Sequence, residues 1–439
     1  MKRKPISLVN QNILVYGLGK SGISSFNYLY KNNNLFCYDD YKFSQNDRIK
    51  KNLINFKKIK KIKFDYIVIS PGINIKKCKL SNFLKKNKKK IITDLDIFYL
   101  NNPSNFKIAI TGSNGKSTTA KLLFDILKKN NKDVRLSGNI GRPILDEKHI
   151  KKSTCFIIEI SSYQIEYSKI FKANFAAILN ISYDHLERHG NIKNYTHSKL
   201  KLIYQQNSND RCFVNLSEDY IKKYIKIKKI DSKIEDIKLK NLNFLKKKIR
   251  NKYFLNLSNL KNLQFAINIC KFLKIKQNKV LNIANKFKPL NYRQQILFSK
   301  KNITCINDSK STSFASSIDI LKSYDKIYWI VGGIPKKKDK LKLEKKYYNN
   351  IIAFITGRNF IFFEKQFKNK IIYFKLKSLK EAINKIVKIS NLNINHKVKK
   401  CILFSPAAAS FDQFKNFEER GMYFNYIVKK VKLKNLIYG

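Results

Sequence analysis

Short apolar runs recur along this chain, each bounded by turn residues and followed by a stretch whose hydrophobic positions return every three or four residues. In the first hundred residues "NILVYGLG" reads as a strand, "SGISSFNYLYKNNN" as a helix, and "LFCYDD" and "FDYIVISPG" as further strands. This alternation is the rhythm of βαβ units feeding a parallel sheet. The turn-rich "FYLNNPSNFK" closes the first unit. A second opens at "KIAITGSNGKSTTAKLLFDILKK", runs through "CFIIEISSYQIEY" and "FAAILNISYDHLERHG", and ends near residue 288. Between about 216 and 256 the chain is so rich in Lys, Ile and Asn that the pattern places no elements. A third unit begins near "PLNYRQQI" and carries the strands "ITCINDS", "KIYWIVGG", "IIAFITG" and "KKCILFSPA". The expected fold is α/β in three domains: Rossmann-like over residues 1–101, a central P-loop ATPase-type α/β unit over 102–288, and a second Rossmann-like unit over 289–439.

Composition alters this picture mainly through charge. Of 439 residues 43% are hydrophobic, including 31 Phe and 24 Tyr, enough to fill several cores. Lys and Arg number 91 against 30 Asp and Glu, a net charge of +61. That excess draws polyanions at low salt. The lysines are spread evenly, however, whereas a dedicated nucleic-acid binder clusters its charge on one element. No specific nucleic-acid partner is expected. A basic nucleic-acid-binding ATPase is the rival from another class, favoured by interleaved aromatic and basic residues and disfavoured by the lack of a second, helicase-type ATPase motif. Seven widely spaced cysteines without a CxxC pair read as reduced core thiols. The N-terminus lacks an apolar signal core, and no apolar run reaches about 18 residues. A cytoplasmic monomer acting on small molecules, with no membrane partner, is the expectation.

The first candidate chemistry lies in "AITGSNGKST". After the strand "KIAI", the turn at Gly112, Ser113, Asn114 and Gly115 presents backbone N–H groups to phosphate oxygens, and the following helix adds its positive dipole end. Lys116 supplies a point charge for β- and γ-phosphates, and the Ser117 or Thr118 hydroxyl reaches Mg²⁺. The glycine that a full phosphate-loop pattern needs five positions before Gly115 is Ile110, so this is a shorter form. Glu159, at the end of "CFIIE", suits a magnesium ligand or a sheet-edge salt bridge. Asp184, His185 and Arg188 follow another apolar run, at the rim where open α/β sheets bind ligands. Upstream, Gly17, Gly19 and Gly22 fit G-x-G-x-x-G, with Asp39 at dinucleotide spacing. A nicotinamide dehydrogenase would use that turn but leaves the second loop without a purpose.

Together "TGSNGKST", "EISSYQ", "NISYDHLERHG" and "YTHSKLKLIY" resemble the central ATPase domain of the Mur ligases, the cell-wall amide ligases to which folylpolyglutamate synthetases are related. The resemblance covers nearly the whole chain. Within the family it points to the member that adds D-glutamate to UDP-N-acetylmuramoyl-L-alanine, chiefly through "SPAAASFDQFKNFEERG". It implies that the first domain holds the UDP group, with Gly17, Lys20, Ser21, Asp39, Asp40 and Gly72 around it and Asn139 on the pyrophosphate; Ser161 and Gln164 would also touch substrate. Lys199 matches the family lysine carried as a carbamate on a second Mg²⁺, with His185 as the other ligand or orienter; Ser117 and Glu159 would hold the first. Without that match, Lys199 reads as one more surface lysine. Asn262, Arg293 and Asp308 would bind the nucleotide, Lys310 the phosphates or transition state, and Thr312, Lys336, Ser410 and Phe417 the D-glutamate. An ammonium with hydroxyls suits such a dicarboxylate.

The chain departs from the family at two places. "KNLQF" stands for His-Asn-x-x-Asn, so Phe265 replaces the second asparagine, and Tyr292 in "NYRQQ" replaces a histidine. Both changes bear on adenine recognition and neither on the phosphate or carboxylate chemistry. The alternatives left open are another Mur ligase and a folylpolyglutamate-synthetase-like enzyme, although the latter would lack the first hundred residues as a separate nucleotide domain. With ligands drawn from all three segments, domain closure is expected.

Overall fold

The computed structural model describes residues 8–41, 46–239, 242–300, 302–336, 339–391 and 398–431. Three sheets form. The first is β1 (Asn12–Tyr16), β2 (Asn34–Tyr38), β3 (Tyr66–Ile69) and β4 (Ile91–Ile92), in the order β2-β1-β3-β4 and parallel throughout. The second takes β5 (Lys107–Thr111), β6 (Val134–Gly138), β7 (Cys155–Glu159), β8 (Phe175–Ile178), β9 (Arg211–Val214) and β10 (Lys233–Asp236), in the order β10-β9-β8-β5-β7-β6. The third takes β11 (Gln295–Lys300), β12 (Ile303–Asn307), β13 (Lys326–Gly332), β14 (Ile351–Thr356), β15 (Ile372–Lys375) and β16 (Lys400–Phe404), in the order β11-β12-β16-β13-β14-β15.

The central strands are covered on both faces, which is why they read as unbroken apolar runs instead of alternating ones. Ile13, Leu14, Val15 and Tyr16 of β1 are fully buried, as are Ile108, Ala109 and Ile110 of β5. Sequence patterning found the buried strands and missed the short or marginal ones, β4, β6, β9, β10, β11 and β15. β11 departs from the parallel expectation: "QILFSK" pairs antiparallel with β12, with a register shift between Ile296 and Phe298. In the segment left unassigned by pattern lie the helices Asp219–Ile225 and Asn243–Lys248 and the strand β10.

In the second sheet β5 feeds the edge strand β6, the chain returns through β7 beside β5, then crosses to β8 on the other side of β5. β5 is therefore the strand at which the order reverses, the place where open parallel sheets leave a crevice at their carboxyl ends. Ile110 pairs with Glu159 and Thr111 with Ile178, so the phosphate loop, Glu159 and the residues after β8 leave adjacent strand ends together.

Contacts between Cα atoms group the chain into two compact units. One comprises residues up to Ile181 with His185–Leu239 and Phe265–Lys276, and so holds the first two sheets. The other comprises Ser182–Asp184, a stretch ending at Gln264, and the chain from Gln277 onward, with the third sheet. Inside the first unit one carboxylate joins the two sheets' layers. Asp96, fully buried, caps its own helix (Asp94–Asn101) by accepting from the Thr93 backbone and hydroxyl, both at 3.0 Å. Its other oxygen accepts from Ser168 Oγ at 2.7 Å and from the N–H groups of Lys169, Ile170 and Phe171 at 2.9, 3.0 and 3.1 Å. Replacing it strands those donors away from water. Asp96→Ala is expected to destabilise the first unit by about 3 kcal/mol or more, and to expose the amides of residues 169–171 to hydrogen exchange; unchanged protection there would refute the assignment.

Candidate active site

Gly115 ends the turn after β5 and begins the helix Lys116–Lys129 with φ of 85°, a left-handed value that glycine adopts without strain. The turn is braced from the next strand. The Asn114 N–H donates to Asn180 Oδ1 at 2.9 Å, the Ser113 N–H to Asn180 O at 3.0 Å, and Asn180 Nδ2 returns a bond to Asn114 O at 3.1 Å. The Ser113 and Asn114 amides, expected to face phosphate, are thus spent on holding the loop open. The cradle left for an anion is the helix N-terminus beyond Gly115.

Two ammonium groups meet beside this turn. Lys116 Nζ donates to Gly112 O and Ser113 O, each at 2.8 Å. Lys199 Nζ donates to the same Gly112 O at 2.8 Å and reaches Thr111 Oγ1 at 3.4 Å. Each nitrogen lies 2.8 Å from one oxygen, so the two charges are no further apart than twice that distance, 5.6 Å. Lys199 is no surface residue: it is 1% exposed, on the helix Ile192–Tyr204, with its ammonium 4.7 Å from the Tyr195 ring. The Tyr195 hydroxyl lies 3.0 Å from Ser113 Oγ, so one aromatic side chain steadies both the loop and the lysine.

Glu159, 1% exposed, accepts from Asn139 Nδ2 at 2.7 Å through Oε1. Its Oε2 is buried with no hydrogen-bond partner. An orphaned buried carboxylate oxygen is costly unless a cation completes it. Among the described residues no three His, Cys, Asp or Glu side chains cluster as a metal cage. That donor set fits Mg²⁺, which uses one or two carboxylates together with waters and substrate phosphates; the nearly buried hydroxyl of Ser117 is the second donor on offer. Asn139, expected on a pyrophosphate, is committed here to Glu159.

His185 has φ of 53°, a strained left-handed position of the kind that gathers at functional sites. Its Nδ1 lies 2.8 Å from the Tyr163 hydroxyl and 3.4 Å from Glu187 Oε1, and its ring centroid is 6.3 Å from that of Tyr195. Ser161 and Gln164 form a capping box on the helix Ser162–Tyr167, so their polar atoms serve that helix. In the first sheet Asp39 accepts from the Leu18 N–H at 2.6 Å and Asp40 from the Tyr16 hydroxyl at 2.9 Å. Gly22 has no substitute: a Cβ there would lie 1.8 Å from Gly17 O. Lys20 and Ser21 open the helix Lys20–Leu29 beside it.

The second unit gathers the remaining candidates. Asp308 follows β12, is 6% exposed, and accepts from the Gln294 N–H at 3.0 Å and Ser405 Oγ at 3.2 Å; burial pushes its carboxyl up to about 7. Asn262 Nδ2 donates to Asn259 Oδ1 at 3.3 Å, and Asn259 donates to Gln294 Oε1 at 2.8 Å, which connects Asn262 to the Asp308 loop. Phe417 carries Lys310 Nζ at 4.0 Å and Arg293 at 5.8 Å above its ring. Phe265, which belongs to the first unit, is buried at 1% exposure; in the second unit the Tyr292 ring packs over Gly421, where a Cβ would come within 2.4 Å of it. Lys336 is ion-paired with Asp184. Ser410 is buried at 3% and Thr312 half-buried.

A model of the Mur ligase middle domain matches residues 110–313. The UDP-N-acetylmuramoylalanine–D-glutamate ligase of Rickettsia prowazekii (strain Madrid E) is 32% identical over 442 residues, covering 96% of this chain and 98% of its own. This chain belongs to the Mur ligase family. Solved members share the fold at lower identity. MurF of Acinetobacter baumannii superposes with a TM-score of 0.55 at 14% identity, over 75% of this chain and 79% of its own. The MurF ligase of Thermotoga maritima, in complex with ADP, gives 0.52 at 15%, over 96% of each chain.

As a Mur ligase the protein brings Lys116, Lys199 and the phosphate loop to one carbonyl, with Glu159 and Asn139 on the neighbouring strand ends. Sequence reading left unassigned Asn180 and Tyr195, which steady the turn and Lys199, and Tyr163, which meets His185; it placed Arg188 at the ligand-binding rim without naming its partners. The one available signal was that polar and aromatic residues stand at the ends of apolar runs. His189 extends this layer, 3.0 Å from Ser162 Oγ through Nε2. Burial, and then the charges of Arg188 and Lys199, hold its imidazole down to about 4 from the ordinary 6.5. Stability from a neutral buried imidazole is complete above pH 6.5 and drains as pH falls toward 4. The stability difference between wild type and His189→Gln should therefore shrink on acidification across that window, read by urea unfolding at each pH. Parallel curves would contradict it.

Proposed function

We propose that the protein is an ATP-dependent ligase that joins D-glutamate to UDP-N-acetylmuramoyl-L-alanine in the cytoplasmic synthesis of a peptidoglycan precursor. The observation that carries the reading is end-to-end similarity to relatives bearing that name, joined to a site built for polyphosphate: two ammoniums on one carbonyl beside a helix N-terminus. The L-alanine carboxylate attacks the γ-phosphorus, the bond to the β-phosphate oxygen breaks, and ADP leaves an acyl phosphate. The D-glutamate amine, having lost its proton, then attacks the acyl carbon, and phosphate departs as the amide forms. Little covalent chemistry falls to the protein, so positioning and charge stabilisation dominate. Lys116 neutralises charge on the transferring phosphoryl group, and Lys310 serves the same group from the third sheet. Thr312, Lys336, Ser410 and Phe417 seat D-glutamate; Asn262, Arg293 and Asp308 hold the nucleoside. The UDP group belongs to the Gly17–Gly22 turn, Asp39, Asp40 and Gly72.

Magnesium, when bound, neutralises the phosphoryl oxygens, and Glu159 with Ser117 is the set that would hold it. Carbamylation of Lys199 is part of the proposal, and the proximity of a second ammonium supports it. Two cations within 5.6 Å repel, and CO₂ addition turns one into an anionic oxygen ligand, with His185 assigned to the same second ion. Domains at 1–101, 102–288 and 289–439 and a monomeric state complete the reading. Among the described residues no helix is long and apolar enough to cross a membrane.

The decisive measurement is phosphate release with ATP, Mg²⁺, UDP-N-acetylmuramoyl-L-alanine and a panel of amino acids. D-glutamate should be preferred over L-glutamate, glycine and diaminopimelate; no preference, or stimulation by DNA alone, sinks the reading. Lys116→Ala should lower kcat by about a hundredfold or more. In ¹³CO₂-equilibrated buffer a carbamate carbon resonance should appear in wild type and vanish in Lys199→Arg; a resonance that persists in the variant removes Lys199 as its source.

A further inference from the structure

Arg188 is three residues beyond His185, in the one-turn helix Leu186–His189. Its side chain is 6% exposed. Nε donates to Glu166 Oε2 at 2.8 Å. Nη2 donates to Ile73 O at 2.6 Å and Pro71 O at 3.4 Å, and Nη1 to Gly72 O at 3.3 Å. The guanidinium carbon lies 5.1 Å from the Tyr163 ring and 5.4 Å from the Tyr167 ring. Three consecutive carbonyls of the loop after β3 thus converge on one planar cation, clamped between a carboxylate and two aromatic faces.

That loop does more than connect elements. Ser70, at its start, donates through Oγ to Gly17 O at 2.6 Å, which ties it to the first glycine turn. The Tyr167 hydroxyl accepts from the Ile75 N–H at 3.2 Å and fixes its far end. Arg188 therefore sits in a continuous path from the His185 turn, through the Pro71–Ile73 carbonyls and Ser70, to the Gly17–Gly22 turn.

We propose that Arg188, backed by Glu166, is the positioning residue that fixes the Pro71–Ile73 loop, and with it the nucleotide-sugar diphosphate, relative to the phosphate-transfer site; this rests on the ligase reading above. A lysine could not replace it. Its compact ammonium offers three donors with no planar fork, so it cannot span three carbonyls and a carboxylate while stacking on two rings. The guanidinium touches neither triphosphate nor reacting atoms in this role; it acts through the loop.

The test compares wild type, Arg188→Lys and Glu166→Gln by calorimetric titration with UDP-N-acetylmuramoyl-L-alanine in the absence of ATP, and by steady-state KM for each substrate. Arg188→Lys should weaken the UDP substrate by about tenfold or more while the KM for ATP stays within about twofold. Glu166→Gln keeps an acceptor but loses the charge and should fall between the two; it also carries the test if the lysine variant fails to fold. Equal rises in both KM values, as general loosening would give, overturn the proposal, and so does unchanged affinity for the UDP substrate. If wild type itself does not bind UDP-N-acetylmuramoyl-L-alanine, the ligase reading fails first. Tight wild-type binding with an indifferent Arg188→Lys defeats the clamp alone.

Discussion

The carbonyl oxygen of Gly112 accepts from two lysines, and the central site is organised around that shared acceptor. Like charges held this close in a buried setting are unfavourable by themselves. The fold sustains them through rigidity. Asn180 fixes the loop from the adjacent strand end, Tyr195 holds the loop hydroxyl and offers its face to Lys199, and β5 is buried on both sides. A preorganised positive site costs stability in the resting protein and saves reorganisation when a polyanion arrives, which is the logic of electrostatic catalysis. Glu159 states the complementary half: a buried carboxylate oxygen without a hydrogen-bond partner suits a cation, on the strand next to the one that delivers Lys116.

Such a site works only if the groups that bind the acceptor stay in register with it. Inside the first unit, register is set by buried polar groups that each satisfy many partners. Asp96 collects three consecutive backbone N–H groups and a hydroxyl from the segment 168–171. Arg188 collects three consecutive carbonyls from 71–73. One is an anion gathering donors and the other a cation gathering acceptors. Both bridge segments far apart in sequence, and each is hard to shift without stranding several partners at once.

Legibility in the sequence followed the range of the interactions. The buried parallel strands were readable because their neighbours on both faces impose an unbroken apolar run. The phosphate loop was readable because its glycines and lysine act within a few residues of one another. The short edge strands β4, β10 and β15 carry too few residues to show a period, and β11 is defined by its pairing with β12. The same limit hid Asn180, whose role depends on a loop 66 residues earlier, and the partners of Arg188, which reaches back 115 residues. Ser161 pairs with Gln164, and Asn139 donates to one oxygen of Glu159. A motif places such residues near a ligand without telling whether they face it.

The charge of +61 finds a structural expression in how buried cations are satisfied. With 30 acidic residues against 91 basic ones, carboxylate partners are scarce. Backbone carbonyls take their place. Lys107, 1% exposed, donates to Asn105 O at 2.6 Å and Pro103 O at 3.2 Å. Arg420, 3% exposed, reaches Ser309 O at 2.7 Å, Ala408 O at 2.9 Å and Gly332 O at 3.4 Å. Lys199 likewise donates to the Gly112 carbonyl, whereas Arg188 combines three carbonyls with the Glu166 carboxylate. Carbonyl dipoles solvate a buried cation without cancelling it, so the net positive charge remains available to a ligand. At Gly112 one carbonyl orients both ammoniums and yields when a stronger acceptor enters. Scarcity of acid, harmless on the surface, is in this way compatible with a site that must stay positive until its triphosphate binds.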